Sequence, residues 1–253
     1  MKCIKPLSIA FLGLALGSCN FRPGATTYPT RPVEHITPTN DQAERRKGSE
    51  AYCKSHNIPV YTNPNALFTD PEAKVSIRAK DEVVDRALAL VYIGLKSEKL
   101  ELDRLDKIDK KYGIQAKLSP NEKAYANAKQ LTQQQAIDGG WKYEDLHVML
   151  WALGFVDTLS YPDKFCNPGA DLNIVNNLTE AQFRQKAVIR SKKEILDQAD
   201  LILRLDWACV DARTKNQPAP GNMDKGVVFE RHYALNWLIN FLQESWDNVT
   251  TDT

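Results

Sequence analysis

Apolar positions along this chain recur mostly at helical spacing, and strand-like alternation is scarce. Leu102, Leu105, Ile108 and Tyr112 fall three or four apart among charges, which predicts a peripheral helix with one docked face. Helix-start signals are frequent. Ser119-Pro120-Asn121-Glu122 is a capping box with proline at the first helical position. Thr132 with Gln135, Thr179 with Gln182, and Ser191 with Glu194 repeat the pattern. Together these signals predict helices over 41–56, 80–98, 101–112, 120–130, 133–155, 170–177, 180–187, 192–214 and 226–244. Gly139-Gly140 is a weak point in the fifth, where a late start or a kink is expected. Pro162, Pro168 and Gln217 to Gly221 mark loops. The expected fold class is all-α: an irregular multi-helix single domain over 41–253.

The pattern ahead of that domain is different. Lys2 and Lys5 precede an unbroken apolar or small run from Leu7 to Gly17, too short to span a bilayer as a helix and typical of a secretory signal. Leu16-Gly17-Ser18-Cys19 then looks like the lipobox read by bacterial lipoprotein signal peptidase. The expectation is a signal peptide over 1–18, a lipid-modified Cys19 carrying two or three acyl chains, and a stable membrane anchor, since one chain alone binds only marginally. A plain secretory signal cleaved nearby is the alternative. Asn20 rather than an acidic residue follows the cysteine, a pattern that fits outer-membrane sorting in a diderm host. From Asn20 to Asn40 four prolines lie among threonines without apolar periodicity, so 19–40 reads as a tether facing the periplasm. At about 3.1 Å per residue it could hold the domain some tens of ångströms off the membrane.

Charge and cysteine content narrow the function classes. The chain has 33 Lys+Arg and 32 Asp+Glu, and removing Lys2 and Lys5 with the leader takes the basic count to 31. Without a basic excess, nucleic-acid binding is not expected. Beyond Cys3 and Cys19 the cysteines are Cys53, Cys166 and Cys209, widely spaced and without a C-x-x-C. No thiolate zinc site is therefore expected, and free thiols are the default, although one disulfide could form from any pair.

Arg78 to Ala87 can be laid on Arg190 to Ala199, with Arg, Lys, Glu, Asp and Ala coinciding. Tyr143-Glu144 then matches Phe229-Glu230, and Trp151 and Phe155 match Trp237 and Phe241 at identical offsets. Either amphipathic helices coincide here by chance, or two duplicated helix-pair units pack about an approximate dyad with Trp151 and Trp237 as paired anchors.

Several segments together carry a family likeness. They are Arg46-Lys47 with Ile58-Pro59, Arg78 to Leu90, Trp141 to Glu144 with Leu150 to Gly154, Arg190 to Glu194, Leu205 to Arg213, Glu230 to Leu238, and Trp246 to Thr253. On these, residues 45–253 resemble the bacterial domain-of-unknown-function family 4272. The family usually has serine where this chain has Ala79, so the resemblance implies that the first copy lacks its cap. It implies no chemistry, and it makes the anchor an addition to a portable domain.

Two constellations could carry chemistry. Glu144-x-x-His147 is the helical motif that supplies ligands in di-iron carboxylate bundles, but the matching position after Glu230 is Tyr233. No metal and no cofactor are expected on that ground, and Glu144 is expected to pair with an arginine. The densest polar group is Asp206, Asp211, Arg213, Glu230, Arg231, His232 and Asn236, a candidate ligand cleft. It reads either as a site with acid, base and cation or as a network of Arg–carboxylate pairs bridging two apolar helices. The leading expectation is a lipid-anchored binding or interaction module with a protein partner in the envelope, an immunity-type protein being one version. The alternative is a hydrolase-like enzyme using Asp206, Asp211, Glu230 and His232; a purely structural envelope protein is the third.

Overall fold

All four serine and threonine capping boxes form. Ser119, Thr132, Thr179 and Ser191 each accept from the backbone N–H three residues on, at 3.1 to 3.2 Å. Glu122, Gln135, Gln182 and Glu194 reach back to the cap N–H at 2.8 to 3.0 Å. At Ala79 only the return half exists, Glu82 Oε2 accepting from the Ala79 N–H at 2.8 Å.

The computed structural model describes residues 37–63 and 68–253; the leader, Cys19 and the tether through 36 lie outside the described residues. Within them the fold is all-α. Helix α1 spans Asn40–Ser55, α2 Lys80–Ser97, α3 Leu102–Tyr112, α4 Pro120–Asn127 and α5 Gln133–Ala152. Then follow α6 Pro168–Asn176, α7 Glu180–Lys186, α8 Lys192–Thr214 and α9 Lys225–Leu238, with short 3₁₀ turns between and after them.

Helix α2 is buried almost all round from Val83 to Ser97, as a central core helix must be. It packs along α5, and α5 and α8 in turn pack on α9. The close approach of α2 and α5 depends on glycine. A Cβ on Gly94 would stand 2.5 Å from Tyr143 Cε1, and one on Gly139 would stand 2.8 Å from Tyr125 Cζ and 2.9 Å from Ser97 Cβ. The expected kink at Gly139-Gly140 is therefore absent. Helix α5 runs unbroken because Gly139 is a contact point, and tertiary packing offsets its low helix propensity.

The last helix is shorter than expected, ending at Leu238 rather than 244. Asn240, Leu242 and Gln243 all adopt left-handed backbone. This folds the chain back so that Trp246 meets Trp237 and Tyr233 edge-on, at 5.4 and 5.1 Å between ring centroids. Burying an aromatic trio there outweighs the roughly 1–3 kcal/mol of strain in a left-handed leucine.

The two helix pairs make matching contacts. Arg78, just before α2, donates from its backbone N to Leu238 O at 3.0 Å and from Nε to Trp237 O at 3.2 Å. Arg190, just before α8, donates to Ala152 O at 2.9 Å and Trp151 O at 2.8 Å. Each guanidinium carbon lies 5.0 Å from the centroid of that tryptophan. The arginine just before α2 thus caps α9, and the one just before α8 caps α5, a reciprocity that fits the duplicated-pair alternative.

Candidate functional site

The seven sequence-selected residues do not form one cluster. Asp206 on α8 and His232 on α9 are both buried, with Nδ1 of the imidazole 2.8 Å from the Asp206 carboxylate. Arg231, one residue earlier, points inward. Its Nε donates to Glu144 Oε2 at 3.0 Å and its Nη1 to Ser160 O at 2.5 Å, and both charged side chains are fully or almost fully buried. Glu144 does pair with an arginine, as its place on the core face of α5 requires. Asn236 donates to Thr250 O at 2.8 Å and ties the C-terminal segment to α9. Asp211 leaves the group altogether: it faces outward and pairs with Lys215 at 2.7 Å on the same helix.

What remains together is a cleft of about 690 Å³ between α8 and α9, lined by Asp206, Arg213 and Glu230 with Trp141, Asp224 and Phe229. His232 and Asn236 face instead a small cavity of about 100 Å³ beside Thr69 and Ala199. The cleft's rim is aromatic. Trp141 meets Phe165 edge-on at 5.3 Å, and Gly226 lies flat against the indole, where a Cβ would stand 2.5 Å from Trp141 Cη2. Phe229 is 45% and Phe165 37% exposed, high for rings of that size.

Sequence reasoning missed Lys142 and Asp145 as members of the site. They lie one turn apart on α5, and Lys142 Nζ bridges Asp145 at 2.9 Å and Glu230 at 2.7 Å while sitting 4.8 Å over the Tyr233 ring. Burial first, and then the neighbouring Glu230, raise the Asp145 carboxyl well above the usual range, with Lys142 acting against them. Burial also works against the Lys142 charge, but Asp145 and Glu230 outweigh it and hold the ammonium above the ordinary lysine range. Two carboxyls thus share one cation, and Asp145 Oδ1 is buried without a hydrogen-bond partner. The signal was an acid and a base three apart on a helix, too common on solvated faces to mark a site.

Two thiols near these helices are not poised nucleophiles. Burial pushes Cys53 up to about 11, and burial with Asp206 and Asp224 pushes Cys209 up to about 12. The three described cysteines are all free, as the default reading had it. A second groove of about 590 Å³ lies between α1 and α8, where Arg45, Arg190 and Lys193 stand among Asp41, Glu44, Glu72, Asp157, Glu194 and Asp197 over Trp151. Its three cations are each paired with a carboxylate, and the lining is acidic on balance.

Comparison with known proteins gives one match. A family model described as a domain of unknown function, DUF4272, covers residues 45–249. No curated protein and no solved structure shows significant similarity.

Proposed function

The chain belongs to the DUF4272 family, and from that premise and the geometry above we propose that it is a lipid-anchored envelope protein whose helical domain binds a protein partner. The anchor rests on Leu16-Gly17-Ser18-Cys19 behind a basic, then apolar leader, and the 19–40 tether gives the domain reach into the periplasm from the outer membrane of a diderm host. Among the described residues no helix is long and apolar enough to cross a membrane.

One observation carries the binding reading: the buried charged side chains beside the cleft are already paired, while two aromatics at its rim stay exposed. Asp206 is taken by His232, Arg231 by Glu144, and Glu230 by Lys142. Phe165 and Phe229 are exposed beside the half-buried Trp141, and aromatics at a cleft rim are the side chains that carry most binding energy at protein interfaces. An incoming toxin, in the immunity-type version, is one partner of suitable chemistry. The hydrolase reading asks for a base that meets substrate; His232 is 1% exposed and held by Asp206, and Asp211 points away.

The test places a photo-crosslinker at Phe229 and, as a control, at Leu102 on α3, which is the more exposed of the two and so biased toward non-specific adducts. One dominant, stoichiometric adduct in the native envelope at Phe229 and none at Leu102 is the expected result. The same background at both positions would overturn the proposal for this surface. Replacing Cys19 with alanine, followed by fractionation, tests the anchor: the chain should leave the membrane fraction.

A further inference from the structure

Helix α5 presents Glu144 and His147 one turn apart, and the chain returns over that face at Cys166. The Cys166 backbone N donates to Glu144 Oε1, and its thiol donates to Tyr143 O at 3.4 Å. Helix α6 then starts at Pro168 and sets Asp171 against His147, whose Nδ1 lies 2.9 and 3.1 Å from the two carboxylate oxygens. An imidazole nitrogen, a sulfur and a carboxylate oxygen from these three residues all lie within 4.8 Å of one another. We propose that His147, Cys166 and Asp171 form a binding site for a single divalent transition-metal ion, with zinc the ion their donor set fits.

The donor set decides the class of metal. Calcium and magnesium take oxygen ligands, whereas one thiolate, one imidazole and one carboxylate suit zinc. Bond lengths of about 2.0–2.3 Å in a tetrahedron put neighbouring ligand atoms roughly 3.3–3.6 Å apart. The His147–Asp171 pair opens by a few tenths of an ångström to meet that spacing, and the sulfur moves in by at most about 1.2–1.5 Å, within reach of a χ1 adjustment. Asp171 is buried, while His147 and Cys166 are half-buried and give the site its opening to solvent. Three protein ligands leave the fourth position for water or a ligand. A bridged two-metal site is not built here, because the residue matching His147 in the second copy is Tyr233.

Glu144 is a positioning residue. It is fully buried, its Oε2 is held by Arg231, and its Oε1 fixes the backbone of Cys166. Burial, Glu144 and Asp171 hold the Cys166 thiol protonated in the metal-free protein. Binding therefore forms the metal–sulfur, metal–nitrogen and metal–oxygen bonds, releases the thiol proton to solvent, and, with Nδ1 as the ligand, displaces the Nδ1 proton that bonds Asp171, a neutral ring regaining one on Nε2 from solvent.

The test uses the full-length chain, reduced and freed of metal with a chelator. Titration with Co²⁺ should raise a thiolate-to-cobalt charge-transfer band that saturates at one equivalent and disappears when Zn²⁺ is added. Cys166→Ser should abolish the band. Loss of even an outer partner of a metal ligand costs about 10–100-fold in affinity, so His147→Gln should weaken binding at least about tenfold. Alkylation by iodoacetamide, mapped cysteine by cysteine, keeps the test independent of variant folding: Zn²⁺ should slow modification of Cys166 in the wild-type chain at least tenfold. A missing band at one equivalent, a band that survives in Cys166→Ser, or a Cys166 rate indifferent to Zn²⁺ would each overturn the proposal.

Discussion

Replacing Arg231 with methionine keeps the length and apolar stem of the side chain and removes its charge. Glu144, at 0% exposure, is then left with the Cys166 N–H but no cation, and Ser160 O loses its donor. Removing one partner of a buried ion pair costs about 3–5 kcal/mol, because the remaining charge stays desolvated. The wild-type pair is itself imperfect, since Arg231 Nη2 is buried without a hydrogen-bond partner, and relieving that orphan places the expected loss near the low end, about 3–4 kcal/mol. For a domain of this size a urea slope of roughly 2.5 kcal/mol/M converts this to a midpoint lower by about 1–2 M. Thermal unfolding should fall by about 6–16 °C.

The companion variant Glu144→Leu/Arg231→Met removes both charges. It should recover at least about 1 kcal/mol relative to Arg231→Met alone, because an uncompensated charge is worse than an apolar pair. Equilibrium urea unfolding followed by far-ultraviolet circular dichroism reads both variants. A single-variant loss under about 1 kcal/mol, or a double variant worse than the single, would refute the view of this pair as a structural tie.

Three further outcomes follow from neighbouring contacts. Asp145 has its pKa raised in the fold, so its ionised form opposes folding: this contribution is fully favourable below the unfolded carboxyl pKa and is lost as pH rises through the folded one. Lys142→Met removes the opposing ammonium, so its deficit in melting temperature should be largest near neutral pH and shrink toward pH 4; a pH-independent deficit would count against the shared-cation arrangement. Gly139→Ala should destabilise by about 1–3 kcal/mol through overpacking against Tyr125 and Ser97, while Gly140→Ala, whose nearest neighbour is Ser97 Oγ at 3.8 Å, should stabilise by up to about 1 kcal/mol in the same urea assay. Arg78→Lys and Arg190→Lys each lose the Nε bond to a tryptophan carbonyl and the guanidinium over its ring, and should cost about 1–3 kcal/mol each, Arg190→Lys the more because Nη2 also donates to Val156 O and Asp157 O where Arg78 Nη2 has Glu244 O alone; a loss under about 0.5 kcal/mol at either would count against the capping role.

Helix starts were legible because a capping box is a local device: Ser119, Thr132, Thr179 and Ser191 each settle two backbone donors within three residues. Helix ends were less so. The local stop of α9 is Asn240, left-handed just past the C-cap, a weaker signal than glycine; Trp246 returning to Trp237 and Arg78 reaching Glu244 O, 166 residues away, reinforce it. The same distinction governs the site. His232 with Asp206, and Glu230 as a cleft wall, were found from polar density on two helices. Lys142 belongs to another helix, and the cluster of His147, Cys166 and Asp171 depends on how a proline-bounded loop crosses α5, a placement that residue spacing does not encode.

The correspondence of Trp151 with Trp237 puts Glu144 on Glu230, Asp145 on Arg231, Leu146 on His232, His147 on Tyr233 and Leu150 on Asn236. The offset between Arg78 and Arg190 likewise puts Gly94 on Asp206. Where the aligned segments agree, the arginines and tryptophans hold helix to helix and the glutamates cap their own helices. Where they differ, polar groups collect. In the first copy Gly94 admits the Tyr143 ring; in the second the same place holds Asp206 bonded to His232. Glu144 meets Arg231, so the equivalent contact would set Glu230 against Asp145, acid on acid, and Lys142 stands between them where the second copy has buried Val228. Packing alone asks for none of these exchanges, since an apolar pair at each position would bury as well and leave no orphaned oxygen on Asp145. Selection for something other than stability is the physical account that fits them. The wall of the α8–α9 cleft and the His147 turn of α5 are two such places, and the buried Asp200–Arg204 pair, aligned with Leu88 and Tyr92, is a third.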